Sequence, residues 1–122
     1  MTTRAEIRYL HTPDIDVEPD THVPEDPANF VFLVQMIVGP LGEPGEESFQ
    51  FEVCTPAWLA SRVREGGPLN GRHLLIVEAF HWPTIRAYFE RLVNQCTGAT
   101  WREVTEKLSR YGHHEFEDYR PV

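Results

Sequence analysis

The stretch HTPDIDVEPDTHVPEDP, residues 11–27, concentrates the groups in this chain most capable of chemistry. It carries six carboxylates, Asp14, Asp16, Glu18, Asp20, Glu25 and Asp26, with no Lys or Arg among them. Glycoside hydrolysis would need two carboxyl groups held at a fixed separation on a rigid frame, and a proline-broken loop is a poor frame for that work. Calcium would find four oxygen ligands at alternate positions in DIDVEPD, but the glycine of an EF-hand loop and the glutamate at its final position are missing. Recognition of a cationic surface asks only for exposed negative charge, and the stretch meets that condition.

Other reactive types are scattered. Cys54 lies between a strand-like and a helix-like segment, where a helix N-terminus can lower a thiol pKa. No glycine-rich elbow or oxyanion loop accompanies it, so it reads as a buried structural thiol. His113, His114 and Glu115 adjoin one another, yet neighbouring residues diverge on a helix or strand and rarely share one ion, and no H-E-x-x-H spacing is present. They read as exposed polar residues after a helix. His11, His22, His73 and His81 form no pattern. The glycine-containing GPLGEPGEE is acidic and would repel a phosphate. These residues supply no catalytic set, no metal ligands and no cofactor site.

Charge and composition narrow the classes further. The chain has 122 residues and a net charge of −8. Residues 9–61 hold ten acids and no Lys or Arg, whereas residues 62–122 hold nine basic and eight acidic residues. This placement argues against nucleic acid as a partner, which requires a basic face, and favours a cationic one. A hydrophobic content of 41% excludes a disordered chain. The length fits one domain, residues 1–122, with enough buried surface to fold without staples. No segment reads as a signal peptide or a membrane span. A cytoplasmic protein is expected, with Cys54 and Cys96 as reduced, half-buried thiols.

The elements follow from periodicity. RAEIRYLH alternates, placing Ala5, Ile7 and Tyr9 on one buried face. NFVFLVQMIVG is nearly all apolar and reads as a central strand covered on both faces. SFQFEVC alternates with Phe49, Phe51 and Val53 inward, giving an antiparallel hairpin with the preceding strand. TPAWLASRVREGG is a helix capped by Thr55, begun by Pro56 and ended by Gly66. GRHLLIVEAF reads as a fourth strand. In WPTIRAYFERLVNQCTG, Ile85, Tyr88, Phe89, Leu92, Val93 and Cys96 form one helical stripe, stopped by Gly98. TWREVTEKLSRYG opens with a Thr100–Glu103 capping box, buries Trp101, Val104, Leu108 and Tyr111, and ends at Gly112. Trp58, Trp82 and Trp101, each near a helix start, are expected against the sheet. Phe116 and Tyr119 are expected to anchor the tail. The fold class is α+β: a mostly antiparallel sheet of about four strands with two to three helices packed on one face.

Six segments, in this order, carry a resemblance across nearly the whole chain: PDID (13–16), PEDPANFVF (24–32), GEESFQFEVCTPAWL (45–59), GRHLLIVEAFHW (71–82), TWREVTEKLSRYG (100–112) and HEFEDY (114–119). The chain resembles the immunity protein 8 family of bacterial polymorphic toxin systems. One departure is His114, where a bulky or aromatic residue is expected before EFEDY. The resemblance implies a small cytosolic protein, not an enzyme, that binds and neutralises a cognate toxin domain. It supplies no catalytic residue and no oligomeric state. Many such toxins act on anionic substrates through basic clefts. The six carboxylates Asp14, Asp16, Glu18, Asp20, Glu25 and Asp26 are therefore the candidate toxin-binding residues, on a backbone that prolines stiffen. The competing readings are a small cysteine-dependent hydrolase using Cys54 and an adaptor domain of a larger assembly.

Overall fold

The computed structural model describes residues 2–115. Its centre is a hairpin. Strand β1 spans Ala5–His11, β2 Val31–Pro40 and β3 Glu47–Cys54. β2 and β3 pair antiparallel in unbroken register from Val31↔Cys54 to Val38↔Glu47. Successive side chains of a strand point to opposite faces, so Phe32, Val34, Met36 and Val38 fall on one buried face with Phe49, Phe51 and Val53. The opposite face is not covered as the apolar run implied: Val31 is exposed, and Leu33, Gln35 and Ile37 are half-buried.

β1 pairs antiparallel with the free side of β2, and its register slips by one residue between Ile7↔Val38 and Tyr9↔Ile37. Arg8 is the extra residue of a bulge. Past it the alternation reverses, so Leu10 packs against the core and Tyr9 is 55% exposed. This corrects the expected placement of Tyr9 beside Ala5 and Ile7. The Arg8 guanidinium pairs with Glu6 and donates to the carbonyls of Pro40 (3.2 Å), Glu43 (2.6 Å) and Gly45 (3.4 Å). The bulge thereby ties the β2–β3 turn to the sheet.

Helix α1 (Pro56–Gly66) follows β3, and Thr55 Oγ1 accepts the Trp58 N–H at its start. Gly67, at φ 77°, terminates it rather than Gly66, because the left-handed region costs glycine little. The crossover returns the chain in the same direction, so β4 lies parallel to β3. The expected fourth strand shrinks to Leu74–Ile76. Beyond it on the same edge of β3, β5 (His113–His114) pairs antiparallel with Phe49 and Gln50. The sheet is open and mostly antiparallel, in the order β1-β2-β3-β4 with β5 beside β3.

Helices α2 (Trp82–Gln95) and α3 (Trp101–Leu108) supply the rest of the core. Ile85, Phe89, Leu92 and Val93 of α2 are buried, and the Phe89 ring meets Phe51 edge-on at 4.9 Å. The Cys96 N–H closes α2 on the carbonyls of Leu92 and Val93. Gly98 is not its stop; it exchanges backbone hydrogen bonds with Thr3. Thr100 Oγ1 accepts the Glu103 N–H, while the Glu103 carboxylate accepts from Ala99 N–H, so the predicted box closes one residue early. Val104 and Leu108 are buried, but α3 ends at Leu108 and Tyr111 is 46% exposed, contrary to expectation. α1 buries no residue. Trp82 is buried, and Trp58 and Trp101 are half-buried. The expected anchors Phe116 and Tyr119 lie outside the described residues.

Candidate functional site: the acidic loop

The chain between β1 and β2 runs over the surface but is braced from within. Thr12 and Ile15 are buried, and the Ile15 N–H donates to Thr12 O at 3.1 Å. A 3-10 turn at Pro19–Thr21 is closed by Thr21, whose N–H and hydroxyl both donate to Glu18 O at 2.9 Å. The His22 ring stands edge-on to Phe80 at 5.1 Å. The Phe80 N–H donates to Pro27 O at 2.8 Å, and its ring joins Phe30 and Phe32, each at 5.7 Å. Proline composition predicts stiffness, but the bracing by Ile15, His22 and Phe80 depends on contacts between distant residues.

Asp14, Asp16, Glu18, Asp20, Glu25 and Asp26 are all exposed. Two of them also hold the backbone. Asp14 Oδ2 accepts the Leu33 N–H at 2.9 Å, and Asp26 Oδ1 accepts the Ala28 N–H at 2.9 Å. The second is a side-chain turn of the kind Asp readily forms. No described residue donates to the carboxylates of Asp16, Glu18, Asp20 or Glu25. These four present negative charge outward from a braced backbone. Val17 and Val23 between them are exposed as well.

The remaining reactive groups have structural settings. Cys54 and Cys96 are free and fully buried rather than half-buried. Burial pushes the Cys54 thiol up, and the Glu52 carboxylate adds to the effect. Burial likewise raises Cys96, against the opposing charges of Lys107 and Arg110. A protonated thiol is a poor nucleophile. Burial also raises the Tyr88 phenol, helped by Tyr111 and opposed by Arg91.

His114 is not an exposed tail residue. It stacks on Phe49 at 4.7 Å, and its Nε2 lies 2.7 Å from Glu47 Oε1. Trp101 Nε1 donates to the other Glu47 oxygen, and the Glu115 carboxylate accepts the Ser48 N–H at 3.0 Å. Glu47, His114 and Glu115 bring one ligand atom each within 4.8 Å of one another. A metal ion there would compete with hydrogen bonds that tie β5 and α3 to the start of β3. Sequence spacing hid this cluster because Glu47 lies far from the histidines along the chain.

The fold and surface define a small α+β domain with a braced anionic loop and buried thiols. No helix among the described residues is long and apolar enough to cross a membrane. The chain belongs to the family described as Immunity protein 8, whose model matches residues 5–119. That membership makes it an immunity protein, a kind of protein directed against a toxin. Comparison with curated proteins and with solved structures returns no match.

Proposed function

We propose that this immunity protein works in the cytoplasm as a non-catalytic inhibitor. In this reading it occludes a basic active-site cleft of its cognate toxin domain with the acidic loop. Asp14, Asp16, Glu18, Asp20, Glu25 and Asp26 form the contact surface. Asp16, Glu18, Asp20 and Glu25 make the charged contacts, and Asp14 and Asp26 keep the loop in shape. The observation that carries the reading is the pairing of four carboxylates that receive no hydrogen bond from a described residue with a backbone already fixed by Ile15, His22 and Phe80. Like charges gathered on one loop repel one another, and a cationic partner removes that repulsion while gaining attraction from each. A braced loop also gives up little conformational entropy on binding. The burial of Cys54 weighs against thiol hydrolysis as a competing role.

The test is protection in cells that express the toxin domain encoded by the adjacent gene. The wild-type chain should restore growth. A variant with Asp16→Asn, Glu18→Gln, Asp20→Asn and Glu25→Gln should fold and fail to protect. Full protection by the folded variant would remove the loop from the inhibitory surface. Loss of protection by a folded Cys54→Ala chain would point to thiol chemistry.

A further inference from the structure

A second surface, whose lining includes Glu18 and Pro19 of the acidic loop, is a strand edge. β1 is the outermost strand of the sheet, and a groove of ≈ 600 Å³ runs beside it, lined also by Trp82, Arg86, Glu90 and Val93 of α2 and by Glu18 and Pro19. Along a strand, the N–H and C=O of successive residues point to alternate sides. Leu41 N–H donates to Arg4 O at 2.9 Å, so Arg4 directs its polar groups toward β2. Thr3 directs its own the other way and exchanges bonds of 2.6 and 3.2 Å with Gly98. The same alternation turns the N–H and C=O of Ala5 and Ile7 outward into the groove, where no described residue bonds to them. Backbone polar groups left without a partner on a strand edge favour acquiring one. The Arg8 bulge then ends the regular edge. The opposite edge of the sheet is different: β4 and β5, of three and two residues, already share it.

We propose that the outer edge of β1 receives an extended basic segment of the toxin, added to the sheet as a further strand beside residues 5–7. Strand addition takes its affinity from backbone hydrogen bonds and its specificity from flanking pockets, and the edge and the groove supply one each. The charges select the occupant. Arg86 pairs with Glu90 and Arg8 with Glu6. Arg4, next in sequence to Thr3 of the Thr3–Gly98 bridge, and Glu18 also line the groove, neither paired with a described residue. The exposed Asp16 and Asp20 flank Glu18 in sequence, so the basic part of the segment lies beside Glu18. A second copy of this chain is disfavoured by a net charge of −8 on each molecule. The proposal rests on the reading that the chain binds a toxin, and it names where and in what form.

Residue-resolved amide exchange tests it, on the full chain alone and with a catalytically inactive form of the toxin domain encoded by the adjacent gene. The Ala5 and Ile7 amides should exchange fast in the free chain and slow on binding, with a smaller change at Glu6, whose N–H is already in the β1–β2 ladder. Ile7→Pro removes an outward donor and leaves that ladder intact, so it should weaken binding by about tenfold more than Ile7→Ala, which controls for the lost side chain. Toxin binding with unchanged exchange at Ala5 and Ile7 would overturn strand addition and leave the inhibitory role standing. Failure to bind the toxin domain at all would overturn both. Protection that rises with protein concentration without the toxin would assign the edge to a second copy and overturn the proposed occupant.

Discussion

The Asp14 carboxylate accepts the Leu33 amide at 2.9 Å, on the side of β2 that β1 leaves open once it ends at His11. An acidic loop residue thus continues the sheet's hydrogen bonding for one more position. Asp14→Ala should therefore cost about 0.5–1.5 kcal/mol, the net worth of a typical hydrogen bond. Asp16→Ala, two residues on and without such a bond to a described residue, should stay within about 0.5 kcal/mol. Urea denaturation of the two variants measures the split. Equal stabilities would mean that the Asp14–Leu33 bond contributes nothing in solution.

The core between sheet and α2 turns on Phe89, fully buried against Phe51. Phe89→Ala removes an aromatic ring and leaves a cavity, which should cost about 3–5 kcal/mol. That is a large part of a domain's total of about 5–15 kcal/mol. A loss below about 1 kcal/mol would contradict the packing of α2 on β3.

Gly112 sets how closely the chain leaving α3 approaches β3. A Cβ there would meet the Phe51 ring at 2.6 Å and Phe49 Cβ at 3.1 Å. Both phenylalanines are locked in the core, so neither can yield easily. Gly112→Ala should destabilise by about 1–3 kcal/mol, as overpacking does. Thermal unfolding beside Gly71→Ala, where a Cβ meets nothing, gives the comparison.

The parts legible in the sequence were those in which local pattern and tertiary environment agree. Alternation in SFQFEVC, the stripe from Ile85 to Val93 and the caps at Thr55 and Thr100 each rest on nearby residues, and each is present. Alternation alone misplaces Tyr9, because a bulge depends on what the extra residue bonds to, here carbonyls far from Arg8 in sequence. The fourth strand was overlong because apolar content alone does not show how much of a partner edge remains to pair. The acidic loop was legible as charge and proline. Which carboxylates serve the backbone was not, since Asp14 finds its donor across nineteen residues.

The buried thiols should make stability fall in alkali. In the folded chain burial raises Cys54 and Cys96 above the ordinary 9.0 and Tyr88 above the ordinary 10.0. As pH rises past 9.0 the unfolded chain loses its thiol protons first, so the folded state binds more protons and its advantage shrinks. The contribution is complete below that pH and is lost as pH rises through the folded-state values. Denaturant midpoints under reducing conditions should therefore drop above about pH 9. A Cys54→Ala, Cys96→Ala chain, less stable overall, should show a shallower drop. Equal slopes would assign the alkaline loss to other groups.

The last prediction concerns how the loop meets its target. Asp16, Glu18, Asp20 and Glu25 face solvent from a braced backbone and receive no hydrogen bond from a described residue, so their field is available to steer a basic partner before contact. Steering weakens as salt shortens the Debye length from about 10 Å at 0.1 M to about 3 Å at 1 M. Association with the toxin domain should slow along that series for the wild-type chain. Replacing the four acids by Asn or Gln should lower the rate at low salt and flatten its salt dependence. Asp14 and Asp26 stay unchanged, so the loop keeps its shape and any loss is one of charge. Rim charges act mainly through association rate, whereas a desolvated pair with a toxin Arg or Lys would also raise the dissociation rate when broken. Stopped-flow mixing across the salt series resolves both rates. Matching rates and slopes for wild type and variant would leave the loop's acidity to solubility alone and move the inhibitory contact elsewhere on the molecule.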